Sequence, residues 1–201
     1  MNKTIWLTIF GAIVALAIGL AAGWLIRSEE PPKISGLMYP APRPIPEISL
    51  VNQAGEPFTL EDFRGQWSYV FFGFTHCPDV CPTTLATLNR AVKSLDKPPQ
   101  VVLVSVDPAR DTPKKLDAYL EFFNPDFIGV TGSQQAISAL AQALGIAFVY
   151  VPQESTGSYT VDHTAAILLV NPQAQVSAIF TTPHKAENLA QDFAAIRAYA
   201  D

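Results

Sequence analysis

The sequence predicts an α/β domain in which a mixed central sheet is flanked by helices on both faces. From about residue 48 onward, apolar runs rich in β-branched and aromatic residues alternate with segments of helical apolar spacing. Three strand–helix pairs of this kind are followed by two turn-centred strand pairs and a last helix. Parallel and antiparallel strands are therefore expected in one sheet. A chain of 201 residues can hold one such domain and an appendage.

The appendage is an uncharged, mostly apolar run of 22 residues from Ile5 to Ile26. A helix of that length measures roughly 33 Å, which is enough to cross the apolar core of a bilayer. Trp6 and Trp24 lie near its two ends, where aromatic rings favour membrane interfaces. We therefore predict an N-terminal transmembrane helix within residues 1–27. A cleaved signal peptide and a buried soluble helix are the alternatives.

Charge around this run predicts the orientation and the location of the protein. Lys3 and the amino terminus precede the run, which favours a cytoplasmic amino end. The short, simple anchor favours a bacterial inner (cytoplasmic) membrane over a mitochondrial one. We expect a single-pass protein whose C-terminal domain lies in the periplasm or outside. The formal net charge of −5 offers no basic stripe, so we expect no nucleic-acid partner.

Residues 28–46 are rich in proline and predict a linker between the anchor and a domain that covers residues 47–201. The prolines of this stretch are Pro31, Pro32, Pro40, Pro42, Pro44 and Pro46. Proline at this density favours extended, semi-rigid chain, as a spacer requires. The alternative is an arm packed on the surface of the domain.

The first core strand is predicted at 67–74, after a short edge segment and turn at 58–63. The helix after it shows apolar residues at helical spacing, namely Leu85, Leu88, Val92 and Leu95. A second strand is predicted at 101–106. Its helix begins at Thr112, a residue type that caps helices, followed by a proline at the first helical position.

The second half of the domain begins with a third strand at 127–130 and a helix capped by Ser133. Two strand pairs follow, and each is joined by residues that favour turns. They are predicted at 146–151 with 158–161, and at 165–170 with 175–180. A last helix is predicted at 185–199.

Both cysteines of the chain lie in one strand-to-helix turn, Thr75-His76-Cys77-Pro78-Asp79-Val80-Cys81-Pro82. Residues four apart on a helix share a face, so Cys77 and Cys81 can point into one pocket. Amides at a helix N-terminus stabilise thiolates, so the two sulfurs could pair as a disulfide or hold a metal. A passive structural disulfide would close too small a loop to contribute much. A thioredoxin-like fold has its active site at such a turn, and we predict that fold.

Histidines are the candidates for a third ligand. His163 precedes the strand at 165–170, and loops at that end of the sheet can approach the thiols. The side chain of His76 is expected to point away from that of Cys77, and His184 is expected at the surface. Two thiolates and one imidazole suit Cu(I), a soft ion that accepts low coordination. Zinc prefers four ligands, and Asp79 or Asp162 is the alternative that could supply a fourth.

Three segments together carry a family resemblance over roughly residues 45–200. They are F-G-F-T-H-C-P-D-V-C-P at 72–82, V-S-V-D-P-A-R-D-T-P at 104–113 and V-D-H-T at 161–164. With these segments the chain resembles the Sco (SenC) copper chaperones of cytochrome oxidase assembly. The resemblance implies a thioredoxin-like fold in which Cys77, Cys81 and His163 bind copper, as Cu(I) or Cu(II).

The resemblance also implies partners and a role. Copper would pass to the dinuclear copper site of cytochrome c oxidase, so the partners would be the copper-bearing oxidase subunit and a copper donor protein. The chain would be a metallochaperone and not a conventional enzyme, with a redox-active disulfide between Cys77 and Cys81. In the D-P-x-R-D segment, Asp107 and Arg110 are expected to form an ion pair that fixes a loop, or to tune the site. One departure is 171–175, where a glycine is usual.

Other functions use the same thiols. The main alternative is a thiol–disulfide oxidoreductase that reduces oxidase cysteines before metallation, because an accessible thiolate and a resolving partner are both present. A thiol peroxidase is disfavoured, since Phe74 stands where the peroxiredoxin motif needs Thr or Ser before Cys77. A membrane-tethered adaptor would leave the thiols unexplained.

Overall fold

The computed structural model describes residues 3–25, 30–153 and 157–200, which divide into two units. One unit extends to Pro32 and includes the residues from Ile196 onward, and the other is Lys33–Ala195. The first unit contains helix α1, Lys3–Leu25, over the predicted apolar run. Among the helices of these described ranges, none combines the length and apolar character that a membrane span requires. The transmembrane assignment made from the sequence is therefore not shown.

The second unit is built on an eight-stranded sheet. Its strands are β1 Leu37–Pro44, β2 Leu50–Asn52, β3 Pro57–Phe58, β4 Ser68–Gly73, β5 Gln100–Ser105, β6 Ile128–Thr131, β9 Ile167–Val170 and β10 Gln175–Phe180. They lie in the order β1-β10-β9-β4-β5-β6-β2-β3. The strands β4, β5 and β6 are parallel, whereas β9 and β10 pair antiparallel. The predicted mixed sheet is therefore confirmed, and β4 lies at its centre, buried over its whole length.

Four helices follow strands along the chain as predicted. They are α2 Val80–Lys93, α3 Pro113–Glu121, α4 Gln134–Ala143 and α5 Ala186–Ala200. The expected caps are present, because the hydroxyl of Thr112 accepts from the N–H of Lys115 and that of Ser133 from the N–H of Ala136. A 3-10 helix over Leu60–Phe63 forms the predicted turn.

Strand β1 differs from the spacer expected at 28–46. Residues 37–44 pair antiparallel with β10, for example Leu37 with Ile179, so this stretch belongs to the sheet. β1 is an edge strand, and an edge tolerates proline because every second N–H faces away from the neighbouring strand. Prolines at 40, 42 and 44 follow that alternation. For residues 37–44 the structure shows the packed arm that was the alternative.

Strands β7, Phe148–Gln153, and β8, Ser158–His163, form a separate two-stranded sheet. The sequence predicts this hairpin, but β8 extends two residues beyond the prediction and ends on His163. In the described part of the chain, both strands pair only with each other. The third predicted ligand is therefore carried by an element outside the central sheet.

The turn between β9 and β10 contains a strained alanine. Ala174 has φ +58°, the left-handed region, and it is the only non-glycine residue with positive φ in the described ranges. Its N–H donates to the carbonyl of Asn171 at 2.9 Å, which closes a tight turn before β10. An alanine in this conformation costs about 1 kcal/mol that a glycine avoids.

We expect Ala174→Gly to raise the free energy of unfolding by up to about 1 kcal/mol, reduced somewhat by the greater freedom of unfolded glycine. Urea unfolding of the purified chain measures this change. Ala178→Gly is the matched control, because Ala178 is equally buried but lies within β10. That control should lower stability, and equal losses in both variants would contradict the assignment of strain.

Candidate metal centre

The two cysteines lie where β4 passes into α2. Cys77 is half-buried in the turn, and Cys81 is fully buried in the first turn of the helix. The backbone N–H of Cys81 is 3.4 Å from Sγ of Cys77 and donates to it. Both thiols are free in this structure. The two sulfurs therefore lie close together at the helix start, as the four-residue spacing predicts, but one is reachable and the other is enclosed, which the spacing does not predict.

Gly73, at the end of β4, makes room for the enclosed sulfur. A Cβ at this position would lie 3.0 Å from Sγ of Cys81 and 2.8 Å from the ring of Phe71. Any larger residue would displace one of them, because interiors are close-packed. The sequence shows a glycine before the turn, but nothing in the residue spacing indicates that the Cys81 thiol occupies the space beside this glycine.

His163 completes a group of three ligands. Its Nε2 is 3.4 Å from Sγ of Cys81, and the ligand atoms of Cys77, Cys81 and His163 all lie within 4.8 Å of one another. The imidazole packs edge-on against Phe71 and Phe74, with ring centroids 5.9 Å away in each case. These three side chains are therefore positioned to bind one metal ion.

The surroundings of His163 allow the tautomer that metal binding requires. Its Nδ1 lies 3.3 Å from the carbonyl oxygen of Thr164. A proton on Nδ1 can be donated to that carbonyl, which leaves the Nε2 lone pair directed at the sulfurs. A backbone acceptor behind a ligating imidazole is a common way to fix its orientation.

The other two histidines lie outside this group. His76 is exposed, and its Nδ1 is 3.0 Å from Oγ1 of Thr75. His184, expected at the surface, is half-buried because its Nε2 lies 3.0 Å from the carbonyl of Ala165. Burial lowers the pKa of His184. Asp79 and Asp162 are exposed, and within the described ranges neither joins the two thiols in a ligand group.

Asp111 is a supporting residue that the sequence did not single out. Its carboxylate is fully buried and accepts from the N–H and the hydroxyl of Thr75, at 3.0 and 2.6 Å, and from the hydroxyl of Ser105 at 2.7 Å. Thr75 lies two residues before Cys77, so these bonds fix the start of the thiol turn. Asp111 is the second Asp of the D-P-x-R-D segment, which is the one sequence feature that could have indicated its role. Its hydrogen-bond partners are known only from the tertiary structure.

The two thiols differ in acidity. A hydrogen bond from the Cys81 side chain is the largest of the influences that lower the pKa of Cys77 to about 3, against the opposing effect of burial. His163 and the backbone amides of Cys81 and Asp79 add to this lowering. The same hydrogen bond, with burial, raises the pKa of Cys81. At neutral pH Cys77 is therefore a thiolate that accepts from the Cys81 thiol.

We expect the rate of Cys77 alkylation by iodoacetamide to stay flat between about pH 5 and pH 8, because the thiolate is already formed there. For an ordinary thiol, the alkylation rate rises about tenfold with each unit of increasing pH as long as the pH is below the thiol pKa. Cys81→Ala removes the donor, so the pKa of Cys77 should rise and the pH dependence should return. A tenfold rise per unit in the parent chain would contradict the thiolate assignment.

The donor set determines which metals fit. Two sulfurs and one imidazole suit a soft ion of low coordination number, such as Cu(I). A structural zinc site takes four ligands, and the group formed by Cys77, Cys81 and His163 has three. Cys77 faces the surface, so a bound ion would be reachable by another protein.

Comparisons with known proteins agree with this geometry. The sequence profile of the SCO1/SenC family matches residues 40–198. A Stutzerimonas stutzeri protein, named as a candidate copper-binding protein, is 38% identical over 181 residues, which cover 88% of each chain. The mitochondrial SCO2 homolog of mouse is 34% identical over 150 residues, 72% of this chain but only 59% of that one.

A solved structure shares the fold. The crystal structure of Arabidopsis thaliana ScoI with copper bound superposes with a TM-score of 0.72 at 31% identity and covers 77% of this chain and 98% of that one. The thioredoxin-like α/β fold, the thiol turn and the family profile therefore point the same way. The chain belongs to the SCO1/SenC family.

Proposed function

We propose that this protein is a copper chaperone that holds one copper ion between Cys77, Cys81 and His163 and passes it to another protein. One observation carries the proposal, namely that the three ligand atoms converge within 4.8 Å in a chain of this family. The copper bound to the related Arabidopsis protein supports the choice of metal. Copper is cargo in this role and is not a resident cofactor.

The unequal exposure of the ligands suits transfer. Cys77 is the reachable thiolate, so a ligand of the acceptor can attack the copper on that side while Cys81 and His163 still hold it. Each new bond to the acceptor then replaces one bond to the chaperone, and no electron needs to move. Three-coordinate Cu(I) accepts such an incoming ligand readily because its coordination is not saturated.

The acceptor we propose is the dinuclear copper site of cytochrome c oxidase, in keeping with the family to which the chain belongs. The test mixes copper-loaded chain anaerobically with the copper-free, reduced, copper-bearing domain of the oxidase. After the transfer, one-electron oxidation with ferricyanide should produce the optical and EPR spectrum of a mixed-valence dinuclear copper centre. The Cys77→Ser/Cys81→Ser variant, treated with the same copper, is the control. No spectrum with the loaded parent chain would contradict delivery.

The thiols also favour a second candidate, a thiol–disulfide oxidoreductase that reduces oxidase cysteines before metallation. Its support is the low pKa of Cys77, together with Cys81 as the resolving thiol within hydrogen-bond reach. Attack by the Cys77 thiolate on a target disulfide would give a mixed disulfide, and attack by Cys81 would then release the reduced target and leave a Cys77–Cys81 disulfide. His163→Ala should leave this turnover intact while it weakens copper binding, so the two functions can be separated.

We further propose that residues 1–27 tether the domain to a bacterial inner membrane, with the domain on the periplasmic side. The support is the sequence alone, an uncharged run from Ile5 to Ile26 behind Lys3. Carbonate extraction of membranes from a bacterium that expresses the full chain tests this proposal. Release of the chain into the carbonate supernatant would contradict it.

A further inference from the structure

The hairpin that carries His163 is held to the domain by side chains. Strands β7 and β8 form their own two-stranded sheet, and within the described ranges their ladder joins no strand of the eight-stranded sheet. Cys77 and Cys81, in contrast, follow directly from the central strand β4. The distance between the imidazole and the sulfurs therefore depends on side-chain contacts of the hairpin, namely those of His163 with Phe71 and Phe74 and those with the loop after β5.

One face of the hairpin is turned toward the domain. Successive residues of a strand point to opposite sides, so Tyr159, Val161 and His163 share a face. Val161 is buried and Asp162, between two of them, is exposed, which identifies the inner face. Any contact that fixes Tyr159 therefore also fixes the side on which His163 is presented.

Arg110 makes that contact. Its Nε forms an ion pair with Oδ2 of the buried Asp107, and its Nη1 donates to the backbone carbonyl of Tyr159 at 3.0 Å. The guanidinium also lies over the Tyr159 ring, with Cζ 3.9 Å from the ring centroid. Its Cζ also lies 5.9 Å from the centroid of the Phe74 ring, and Phe74 itself packs against His163. The guanidinium thus joins the loop after β5, the thiol turn and β8.

Two tyrosines close the same network. The hydroxyl of Tyr159 donates to Oδ1 of Asp107 at 2.8 Å, so Asp107 binds Arg110 and Tyr159 at once. On β7, the hydroxyl of Tyr150 donates to the carbonyl of Val106 at 2.7 Å. The rings of Tyr150 and Tyr159 meet edge to face at 5.4 Å. Both strands of the hairpin are therefore fixed to consecutive residues of one loop.

We infer that Arg110 is a positioning residue for the third copper ligand, because it clamps the β7–β8 hairpin so that His163 meets Cys77 and Cys81. This inference rests on the proposed copper site and adds a residue that does not touch the metal. An arginine is suited to the position because its planar group can form an ion pair, donate to a carbonyl and stack on a ring at the same time. A lysine can do only part of this.

The expected loss of copper affinity follows from the fraction of molecules in which His163 is correctly placed. If the released hairpin presents His163 correctly in only a fraction of molecules, copper affinity falls to that fraction of its original value. Residues that orient a metal ligand typically change affinity by about 10–100-fold when replaced. We expect Arg110→Gln to weaken Cu(I) binding about tenfold, which is less than the loss in His163→Ala.

The test titrates Cu(I) anaerobically against a competing chelator, using the full reduced chain. Arg110→Gln is compared with Arg90→Gln, which removes the same charge from the exposed side of α2 and should leave the affinity unchanged. Pulsed EPR of the Cu(II) form supplies a second readout. The imidazole nitrogen coupling should weaken in Arg110→Gln and persist in Arg90→Gln.

A double variant separates positioning from charge. In a His163→Ala background, Arg110→Gln should have no further effect on Cu(I) affinity, because the ligand that it positions is absent. An equal loss in both backgrounds would overturn the inference, since Arg110 would then act through its charge on the thiolates. A loss in Arg110→Gln no larger than that in Arg90→Gln would also overturn it, while His163→Ala alone still reports on the copper site.

Two milder variants guard against misfolding of Arg110→Gln. Arg110→Lys keeps the charge, and Tyr159→Phe removes one hydroxyl, so both should remain folded. Each should weaken Cu(I) binding several-fold and should speed hydrogen exchange of the β7–β8 amides, but not of β4 and β5. Parent-like affinity and exchange in both variants would overturn the inference. If the parent chain failed to bind Cu(I), the proposed function would fail first.

Discussion

The Cys77→Ser/Cys81→Ser variant will bind Cu(I) about 10⁴-fold more weakly than the parent chain. Four-ligand structural metal sites are worth about 10–16 kcal/mol, or roughly 3 kcal/mol for each ligand. Loss of both thiolates therefore removes roughly 6 kcal/mol, and 1.4 kcal/mol corresponds to tenfold. An anaerobic titration against a chelator of known affinity measures the change.

Single variants sharpen this expectation. His163→Ala should lose roughly 100-fold, since it removes one ligand and leaves both thiolates. Thr83→Ala is a suitable control, because Thr83 is exposed in the same helical turn as Cys81 and offers no thiol. Tight one-to-one binding that survived the double cysteine change would contradict the site and would require other ligands in the chain.

The second large effect concerns stability, and we expect Asp111→Ala to lower the free energy of unfolding by about 3–5 kcal/mol. The buried carboxylate accepts three hydrogen bonds, from the N–H and the hydroxyl of Thr75 and from the hydroxyl of Ser105. Alanine would leave the buried Ser105 hydroxyl without this acceptor and would remove both bonds that hold the half-buried Thr75. Urea unfolding of the copper-free chain measures the loss.

Two further variants isolate the cause. Asp111→Asn keeps one carbonyl oxygen as an acceptor and should fall between the parent chain and Asp111→Ala. Asp126→Ala removes a carboxylate from an exposed loop and should change stability by less than about 0.5 kcal/mol. If Asp111→Ala were as stable as Asp126→Ala, the three hydrogen bonds would not hold the thiol turn in place.

The fold could be predicted where local sequence determines local structure. β4 and β5 were recognised because buried parallel strands are continuous apolar runs, and α3 because Thr112 and Pro113 mark a helix start. Strand β1 was not recognised from the sequence, because its prolines suit an extended spacer and an edge strand equally well. Only the neighbouring strand β10 decides between them.

The candidate site divides in the same way. The thiol pair is visible in the sequence because four-residue spacing is local, and His163 was named as a ligand from the resemblance to a family. Gly73 and Asp111 were missed because each acts through contacts with residues that only folding brings close. The Asp107–Arg110 ion pair was predicted from a short segment and is confirmed, but its attachment to Tyr159 required the structure.

The position of His163 along the chain also affects biosynthesis. This imidazole lies 82 residues after Cys81, and the intervening chain contains strands β5 and β6 of the central sheet and nearly all of the β7–β8 hairpin. A growing polypeptide that has reached α2 already displays both thiols, but it has no third ligand until β8 has been made and docked. The complete copper site therefore cannot exist before β8 has been synthesised. High-affinity loading of the metal is thereby restricted to molecules whose folding has brought β8 to α2.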